Sequence, residues 1–157
     1  MAQRDSRRLS IVTGYLYPDL NKKIHPDGRV SYQLDPELQD FQLRNDGDGR
    51  GTYIIWQRDD IPEPTEQELA DAKEPAVNAA WWKGLRFNRD KLLKASDWSQ
   101  GTDIPSALKD SYATYRQELR DLPTAVSKPS FETLNNQSVN KWHEDIENLM
   151  PSKPSEL

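Results

Sequence analysis

Few residues of this chain are of the types that carry out enzymatic or metal chemistry, because its 157 residues include two histidines and no cysteine. His143 and Glu147 are spaced one helical turn apart and could supply two metal ligands, but no suitable third ligand accompanies them. His25 has no such neighbour. The sequence contains neither a Gly-x-Ser-x-Gly nucleophile elbow nor a His-Glu-x-x-His zinc helix. We therefore predict a protein that is not an enzyme, with no catalytic residue, no metal ligand and no cofactor.

The acidic and glycine-rich segment at residues 45–51 invites comparison with a calcium-binding loop. An EF-hand loop needs oxygen ligands at positions 1, 3 and 5 and a bidentate glutamate at position 12. Counted from Asp46, the fifth position is Arg50 and the twelfth is Gln57. We therefore interpret this segment as a flexible turn that precedes a strand.

The composition indicates a small core and a protein partner. Apolar residues make up 34% of the chain and charged residues 30%, which is thin for a single well-filled core. The formal net charge of -5 disfavours nucleic acid as the main partner, since phosphate contacts need clustered Lys and Arg. No apolar run approaches the roughly 20 residues of a membrane span, and no apolar signal-peptide segment follows the charged residues 1–8. We expect synthesis in the cytoplasm and no membrane partner.

The first third of the chain has the pattern of strands. Apolar and polar residues alternate through residues 9–17 and again through residues 29–34, and residues 52–57 are mostly β-branched and aromatic. His25-Pro26-Asp27-Gly28 predicts a turn between the first two runs. We expect a small antiparallel sheet of about three strands, which needs a covering helix or a partner to be stable.

The middle of the chain predicts a pair of helices. Thr65 and Glu68 form a capping-box pattern that starts the first helix, which we expect to break before Pro75 and then to resume. We expect residues 96–101 to form the turn and Asp103 to cap the second helix, with Pro105 in its first turn. Leu122-Pro123 should end it. Apolar residues recur on one face of each helix, which predicts a helical hairpin with a tryptophan-rich seam.

The end of the chain predicts one more helix. Residues 127–130 look like a linker, and Val139, Trp142, Ile146 and Leu149 then have the spacing of a short amphipathic helix. The predicted fold class is therefore α+β: a small N-terminal antiparallel β-sheet, a helical hairpin and a short C-terminal amphipathic helix. The predicted segments are a basic arm (1–8), a small β region (9–60), the hairpin (61–126), and a C-terminal helix with a polar tail (127–157). We expect the basic arm, with Arg4, Arg7 and Arg8, to be disordered or bound to a partner.

Several short motifs in and before the hairpin are typical of one protein family. They are Ile61-Pro62-x-Pro64, Arg89-Asp90-x-Leu92-Leu93, Ser96-Asp97-Trp98 and Leu119-Arg120-Asp121-Leu122-Pro123. Together they resemble the tail assembly chaperone and tail-fibre assembly proteins of tailed bacteriophages, over residues of about 61–123. Residues 9–57 have no counterpart in that pattern.

The resemblance implies a non-enzymatic protein that binds tail-fibre, tail or baseplate subunits in the host cytoplasm. Retention in the virion tail, as an adaptor or fibre-associated component and in a trimeric or hexameric copy number, is one expectation. A transient chaperone that is absent from the mature particle is the alternative, and a small host-modifying enzyme is a third, less favoured one. No nucleic-acid partner is expected, because the formal net charge is -5.

The candidate partner-binding residues are aromatic or charged side chains of the hairpin and the last helix: Trp81, Trp82, Arg86, Arg89, Asp97, Trp98, Tyr112, Tyr115, Arg116 and Trp142. Two interpretations remain open for them. The aromatic residues either fill the core or are exposed as interface anchors, where Trp, Tyr and Arg concentrate. The arginines either bind the partner or form crossed Arg–Asp pairs that fix the register of the hairpin. The residues that could form these pairs are Arg86, Arg89 and Asp90 on the first helix and Arg116, Arg120 and Asp121 on the second. We expect Trp98 to close the open end of the hairpin.

Overall fold

The computed structural model describes residues 6–155. The chain divides into two compact units, Met1–Val77 and Asn78–Leu157. Small antiparallel sheets lie in the first unit and helices make up the second, so the predicted α+β fold class is confirmed. The regular elements of the described residues are α1 (Ser6–Leu16), β1 (Lys22–Ile24), β2 (Val30–Tyr32), β3 (Phe41–Arg44), β4 (Tyr53–Trp56), α2 (Glu66–Ala95), α3 (Ser106–Ala125), α4 (Phe131–Asn136) and α5 (Val139–Asn148).

The prediction of a strand at residues 9–17 is wrong, since most of this segment belongs to α1. Leu9, Val12 and Thr13 are buried, at the i, i+3 and i+4 spacing of one helical face. The hydroxyl of Thr13 donates to the carbonyl of Leu9 over 2.9 Å, which removes the polar cost of its burial. Alternation and helical periodicity overlap in so short a segment, and contacts with α2 decide between them. The predicted basic arm lies mainly outside the described residues, and its last residue, Arg8, is buried in α1.

The strands form two separate two-stranded antiparallel sheets in place of the single sheet expected. The predicted strands near residues 30 and 54 are confirmed as β2 and β4, whereas β1 and β3 were not predicted. The predicted turn is confirmed: the amide of Gly28 donates to the carbonyl of His25, and Gly28 has a φ of 81°. In the second sheet, the rings of Phe41 and Trp56 stack with their centroids 5.7 Å apart.

Asn21 connects the first sheet to the second. It is a non-glycine residue in the left-handed region, with a φ of 55°, a conformation that asparagine tolerates better than most residues. Its side-chain amide donates to the carbonyl of Phe41 over 2.9 Å, and its side-chain oxygen accepts from the amide of Asp40 over 2.7 Å. Its own carbonyl accepts from the amide of Gln33. One side chain therefore satisfies the backbone groups where the two sheets meet.

The helix α2 starts where the sequence predicts. The amide of Thr65 donates to the carboxylate of Glu68 over 2.7 Å, and the amide of Glu68 donates back to the hydroxyl of Thr65 over 3.2 Å. The hydrogen bonds that the amide and the hydroxyl of Thr65 donate to the carboxylate lower the pKa of Glu68. The capping box is thus confirmed in both directions.

The predicted break at Pro75 is wrong, because α2 continues through it. A proline in a helix interior costs about 3 kcal/mol relative to alanine. The neighbouring residues Ala72 and Ala76 are buried in a cluster with Leu9 and Val12, while Pro75 itself faces solvent. Burial on both sides of the proline offsets its cost, so the helix spans both units.

The helix α3 confirms the hairpin but not its predicted ends. It begins at Ser106, after Pro105 at the N-cap position, and no side chain caps it there, so Asp103 is not the cap. It also continues through Pro123 to Ala125. Proline at this position removes only one backbone donor close to the helix end, and the preceding Leu122 is buried. The turn predicted at residues 96–101 is a short 3-10 helix at Asp97–Gln100.

The C-terminal amphipathic helix is confirmed as α5, which buries Trp142 and Ile146. The short helix α4 was not predicted, although Ser130 at its N-cap accepts a hydrogen bond from the amide of Thr133. Gly84 of α2 faces α5, and a Cβ atom at this position would lie 3.3 Å from Cδ1 of Ile146. The close neighbour of Gly84 is therefore a side chain of α5.

Candidate protein-binding surface

The candidate residues divide into a buried set and an accessible set, all of them in the second unit. The buried set is Trp81, Tyr112, Tyr115, Arg116 and Trp142. The accessible set, exposed or half-buried, is Trp82, Arg86, Arg89, Asp97 and Trp98. The sequence does not distinguish the two sets, because both follow from the same aromatic and charged residue types.

The two tyrosines belong to the core of the second unit. Tyr112 and Tyr115 meet edge to face with centroids 6.0 Å apart, and Leu119 completes a buried cluster with them. Burial raises the pKa of the Tyr115 hydroxyl. Core packing is therefore the role that these contacts support.

Arg116 holds the end of α2 against α3. Its Nη1 donates to the carbonyl of Leu93 over 2.6 Å and to the hydroxyl of Ser96 over 2.8 Å, and its Nη2 lies 2.9 Å from Oδ1 of Asp97. Leu93 carries one of the last four carbonyls of α2, which have no partner within the helix. The buried cation thus adds a charged donor to a carbonyl at the helix end that also accepts from the hydroxyl of Ser96.

The prediction of crossed Arg–Asp pairs between the two helices is wrong for Arg89 and Arg116. Arg89 pairs with Asp90, its neighbour on the same helix, over 2.6 Å. Arg116 pairs with Asp97 in the turn. Neither arginine therefore pairs with a carboxylate on the other helix of the hairpin.

The buried tryptophans anchor the remaining helices. Trp142 of α5 is 3% exposed, and its indole nitrogen donates to the carbonyl of Leu134 in α4 over 2.9 Å. Trp81 is buried and meets Trp82 edge to face with centroids 4.9 Å apart. Trp81 and Trp142 are therefore core residues.

Trp98 and Asp97 lie at the turn end of the hairpin and remain accessible. Trp98 packs edge to face on Tyr112, with centroids 4.9 Å apart, yet stays 43% exposed. The side chain of Asp97 is 64% exposed although it pairs with Arg116. The turn end of the hairpin therefore presents an accessible aromatic ring and an accessible carboxylate. Each contacts a buried residue: Trp98 packs on Tyr112 and Asp97 pairs with Arg116.

A second accessible region runs along α2. The guanidinium of Arg86 lies over the ring of Trp82, 5.8 Å from its centroid, in a cation–π arrangement. The adjacent Phe87 is 70% exposed, and sequence reasoning missed it. The signal was available, because Phe87 follows the buried Leu85 by two positions and so falls off the apolar face of the helix.

The cavity beside this hairpin does not suit a substrate. It has a volume of about 90 Å³ and is lined by Leu92, Ala95, Ser96, Tyr112, Tyr115 and Lys153. Pockets for small molecules usually measure several hundred Å³. A few waters fit there, and a metabolite does not.

Metal sites and membrane spans are both missing from the described part of the chain. Between residues 6 and 155, no three His, Cys, Asp or Glu side chains are grouped so that they could hold a metal ion. Within the same range, no helix is both long and apolar enough to cross a membrane.

The accessible residues coincide with a match to a known protein family. Residues 82–141 match the family model of the phage tail assembly chaperone protein, which confirms the resemblance inferred from the sequence motifs. The match begins at Trp82, later than the motifs suggested, and extends through α4 into the first turn of α5. It covers less than half of the chain and supports a role in phage tail assembly. No curated protein and no solved structure matches the chain.

Proposed function

We propose that this protein is a non-enzymatic phage tail protein that binds tail-fibre, tail or baseplate subunits through the accessible residues of its second unit. We further propose that it is retained in the virion as an adaptor or fibre-associated component. The observation that carries the proposal is the overlap between the family match at residues 82–141 and the part of the chain that presents Trp82, Arg86, Arg89, Asp97 and Trp98.

The geometry of the turn end supports binding at this surface. Tyr112 supports the ring of Trp98 and Arg116 holds Asp97, so both side chains are oriented before a partner arrives. A pre-oriented side chain loses less conformational entropy on binding. Tryptophan and arginine are also the residues that dominate binding energy at protein interfaces.

A transient assembly chaperone that leaves before the particle matures is the second candidate. The description of the matched family favours it, because that description names a chaperone. In both cases the protein acts in the host cell during assembly, and the two candidates differ in whether it stays in the particle.

Quantitative mass spectrometry of gradient-purified particles and of infected-cell lysate separates the two candidates. A fixed copy number per particle, roughly a multiple of three or six, would support retention as a tail component. Presence in the lysate alone, bound to a tail or fibre protein, would support the chaperone and exclude retention. Absence of any tail, fibre or baseplate protein from its complexes would refute both.

A pair of substitutions tests the surface. Trp98→Ala should weaken co-purification with the tail partner by about tenfold or more, the usual effect at an interface hot spot. Tyr32→Ala is a matched control, because Tyr32 is an exposed aromatic residue of the first unit, 73% exposed. Binding that depends on Tyr32 and not on Trp98 would place the interface in the first unit.

A further inference from the structure

The second half of α2 is strongly basic in an acidic protein. Residues 82–95 contain five basic residues and one acidic residue, Asp90, while the whole chain has a formal net charge of -5. A segment of this charge stands out from its surroundings and attracts anionic groups.

Helical spacing gathers these charges around the exposed Phe87. Lys83 and Lys91 lie four residues before and after Phe87, and Lys94 lies seven residues after it, so all are neighbours on one side of the helix. Arg86 borders the same side, and all five of these residues are exposed. We call Lys83, Arg86, Phe87, Lys91 and Lys94 the basic face.

The single carboxylate of this segment does not neutralise the basic face. Asp90 accepts hydrogen bonds from Arg89, over 2.8 Å to Nε and 2.6 Å to Nη2. Within residues 6–155, no ion pair is formed by Lys83, Lys91 or Lys94. Arg86 contacts the ring of Trp82 and likewise forms no ion pair there. Four cations are thus available to an incoming partner.

The helix dipole does not explain this arrangement. Cations stabilise a helix within its last turn, and Lys94 is the basic residue there. Lys83 and Arg86 lie more than two turns before the end of α2 at Ala95, beyond the reach of that effect. The helix dipole also does not account for the exposed Phe87, which carries no charge.

We propose that the basic face binds an acidic segment of a partner protein that carries an apolar side chain, with Phe87 as the apolar contact and the four cations around it. Charge complementarity selects this occupant, since carboxylates pair with the cations and an apolar group covers the ring. Nucleic acid fits less well, because its phosphates would meet a central apolar ring and an acidic protein. This proposal rests on the proposed function and adds the chemistry of the partner.

Photocrosslinking in infected cells tests the proposal on the full chain. Benzoylphenylalanine is placed at position 87, and mass spectrometry identifies the crosslinked peptide. We expect a peptide of a phage protein in which acidic residues outnumber basic ones around an apolar residue. Crosslinks to nucleic acid, to a second copy of this chain or to a neutral or basic peptide would overturn the proposal, as would no crosslink at all.

Charge-reversal variants show whether the cations guide the contact. Lys83→Glu with Arg86→Glu should reduce the crosslink yield at position 87 by about tenfold, and raised salt should weaken it as well. Lys109→Glu with Arg120→Glu is the matched control, with the same change in charge on α3. Equal loss in both variants would overturn the role of the basic face. Circular dichroism verifies that both variants remain helical.

A second crosslinking position distinguishes failure of this proposal from failure of the proposed function. Benzoylphenylalanine at position 98 reports on the turn end of the hairpin. Crosslinks to a tail protein from position 98, with none from position 87, would leave the proposed function standing and refute the basic face. Crosslinks from neither position to any tail protein would refute both.

Discussion

The helical unit and the β1–β2 hairpin differ in how far their large apolar side chains are exposed to solvent. In the helical unit, Trp81 is 1% exposed and Trp142 is 3% exposed, and the indole nitrogen of Trp142 donates to the carbonyl of Leu134. In the β1–β2 hairpin, Ile24 is 76% exposed. Leu34, two residues after the end of β2, is 84% exposed. The first region forms a core of its own, and the second leaves an apolar side uncovered.

This difference shows where stability comes from in each region. Val30 and Ile24 pair across the two strands, Tyr32 lies on the same side, and all three side chains are exposed. A two-stranded hairpin is marginally stable in water, so its position depends on polar connections such as those of Asn21. We therefore expect large effects of substitution in the helical core, intermediate effects at the polar connections, and small effects on the uncovered hairpin.

The largest effect should follow from Trp142→Ala. Loss of a buried tryptophan leaves a cavity and removes the hydrogen bond to the carbonyl of Leu134, at an expected cost of about 4 kcal/mol in the free energy of unfolding. Urea denaturation measures the cost, and hydrogen exchange should show lost protection in α4 and α5. A cost below about 1 kcal/mol would mean that α5 contributes little to the core.

Arg116→Ala should have the next largest effect. The carbonyl of Leu93 and the hydroxyl of Ser96 lose a charged donor, so we expect a loss of about 2–3 kcal/mol. Asp97→Asn is the comparison, and it should cost much less because the side chain of Asp97 is 64% exposed. Similar losses in the two variants would show that the ion pair dominates and that the backbone contacts matter little.

Asn21→Ala tests the corresponding polar connection in the first unit. The variant loses the hydrogen bonds to Phe41 and Asp40 and places alanine at a positive φ, so we expect a loss of about 2 kcal/mol. Asn21→Gly restores the backbone freedom but not the hydrogen bonds and should recover part of the loss. Chemical denaturation followed by circular dichroism measures both. Full recovery with glycine would assign the whole effect to the backbone.

Two glycine-to-alanine substitutions, one in each unit, should differ in their effect on the free energy of unfolding. A methyl group added at Gly14 in α1 would meet no atom within 4 Å, so Gly14→Ala should stabilise by about 0.5–1 kcal/mol. Gly84→Ala places its methyl group 3.3 Å from Ile146 and should give no gain or a loss of up to about 1 kcal/mol. Thermal melting compares the two variants. Equal gains in stability would show that Ile146 of α5 moves to accommodate the added methyl group at little cost.

The smallest effect should come from the uncovered hairpin. Ile24→Thr and Leu34→Thr should each change the free energy of unfolding by less than about 0.5 kcal/mol, because both side chains are exposed. Larger losses would show that these side chains are buried in solution, which would remove the contrast between the two regions.

Local interactions made much of the fold predictable. The capping box at Thr65 and Glu68, the turn at Gly28 and the stripe of α5 each depend on residues a few positions apart. The same holds for the family motifs, most of which lie within residues 82–141. For the candidate residues, the sequence predicted the helices on which most of them lie, but it did not separate buried members from accessible ones.

The sequence by itself determined the α+β class, the hairpin and the C-terminal helix, because periodicity and capping act within a turn or a strand. Tertiary structure decided that α1 is a helix, that α2 continues through Pro75 and that Arg116 bonds to Leu93. Each of these depends on burial against residues distant in the chain. Tertiary structure likewise decided that Phe87 and Trp98 face solvent while Trp81 does not, since exposure depends on which elements come to lie against each helix.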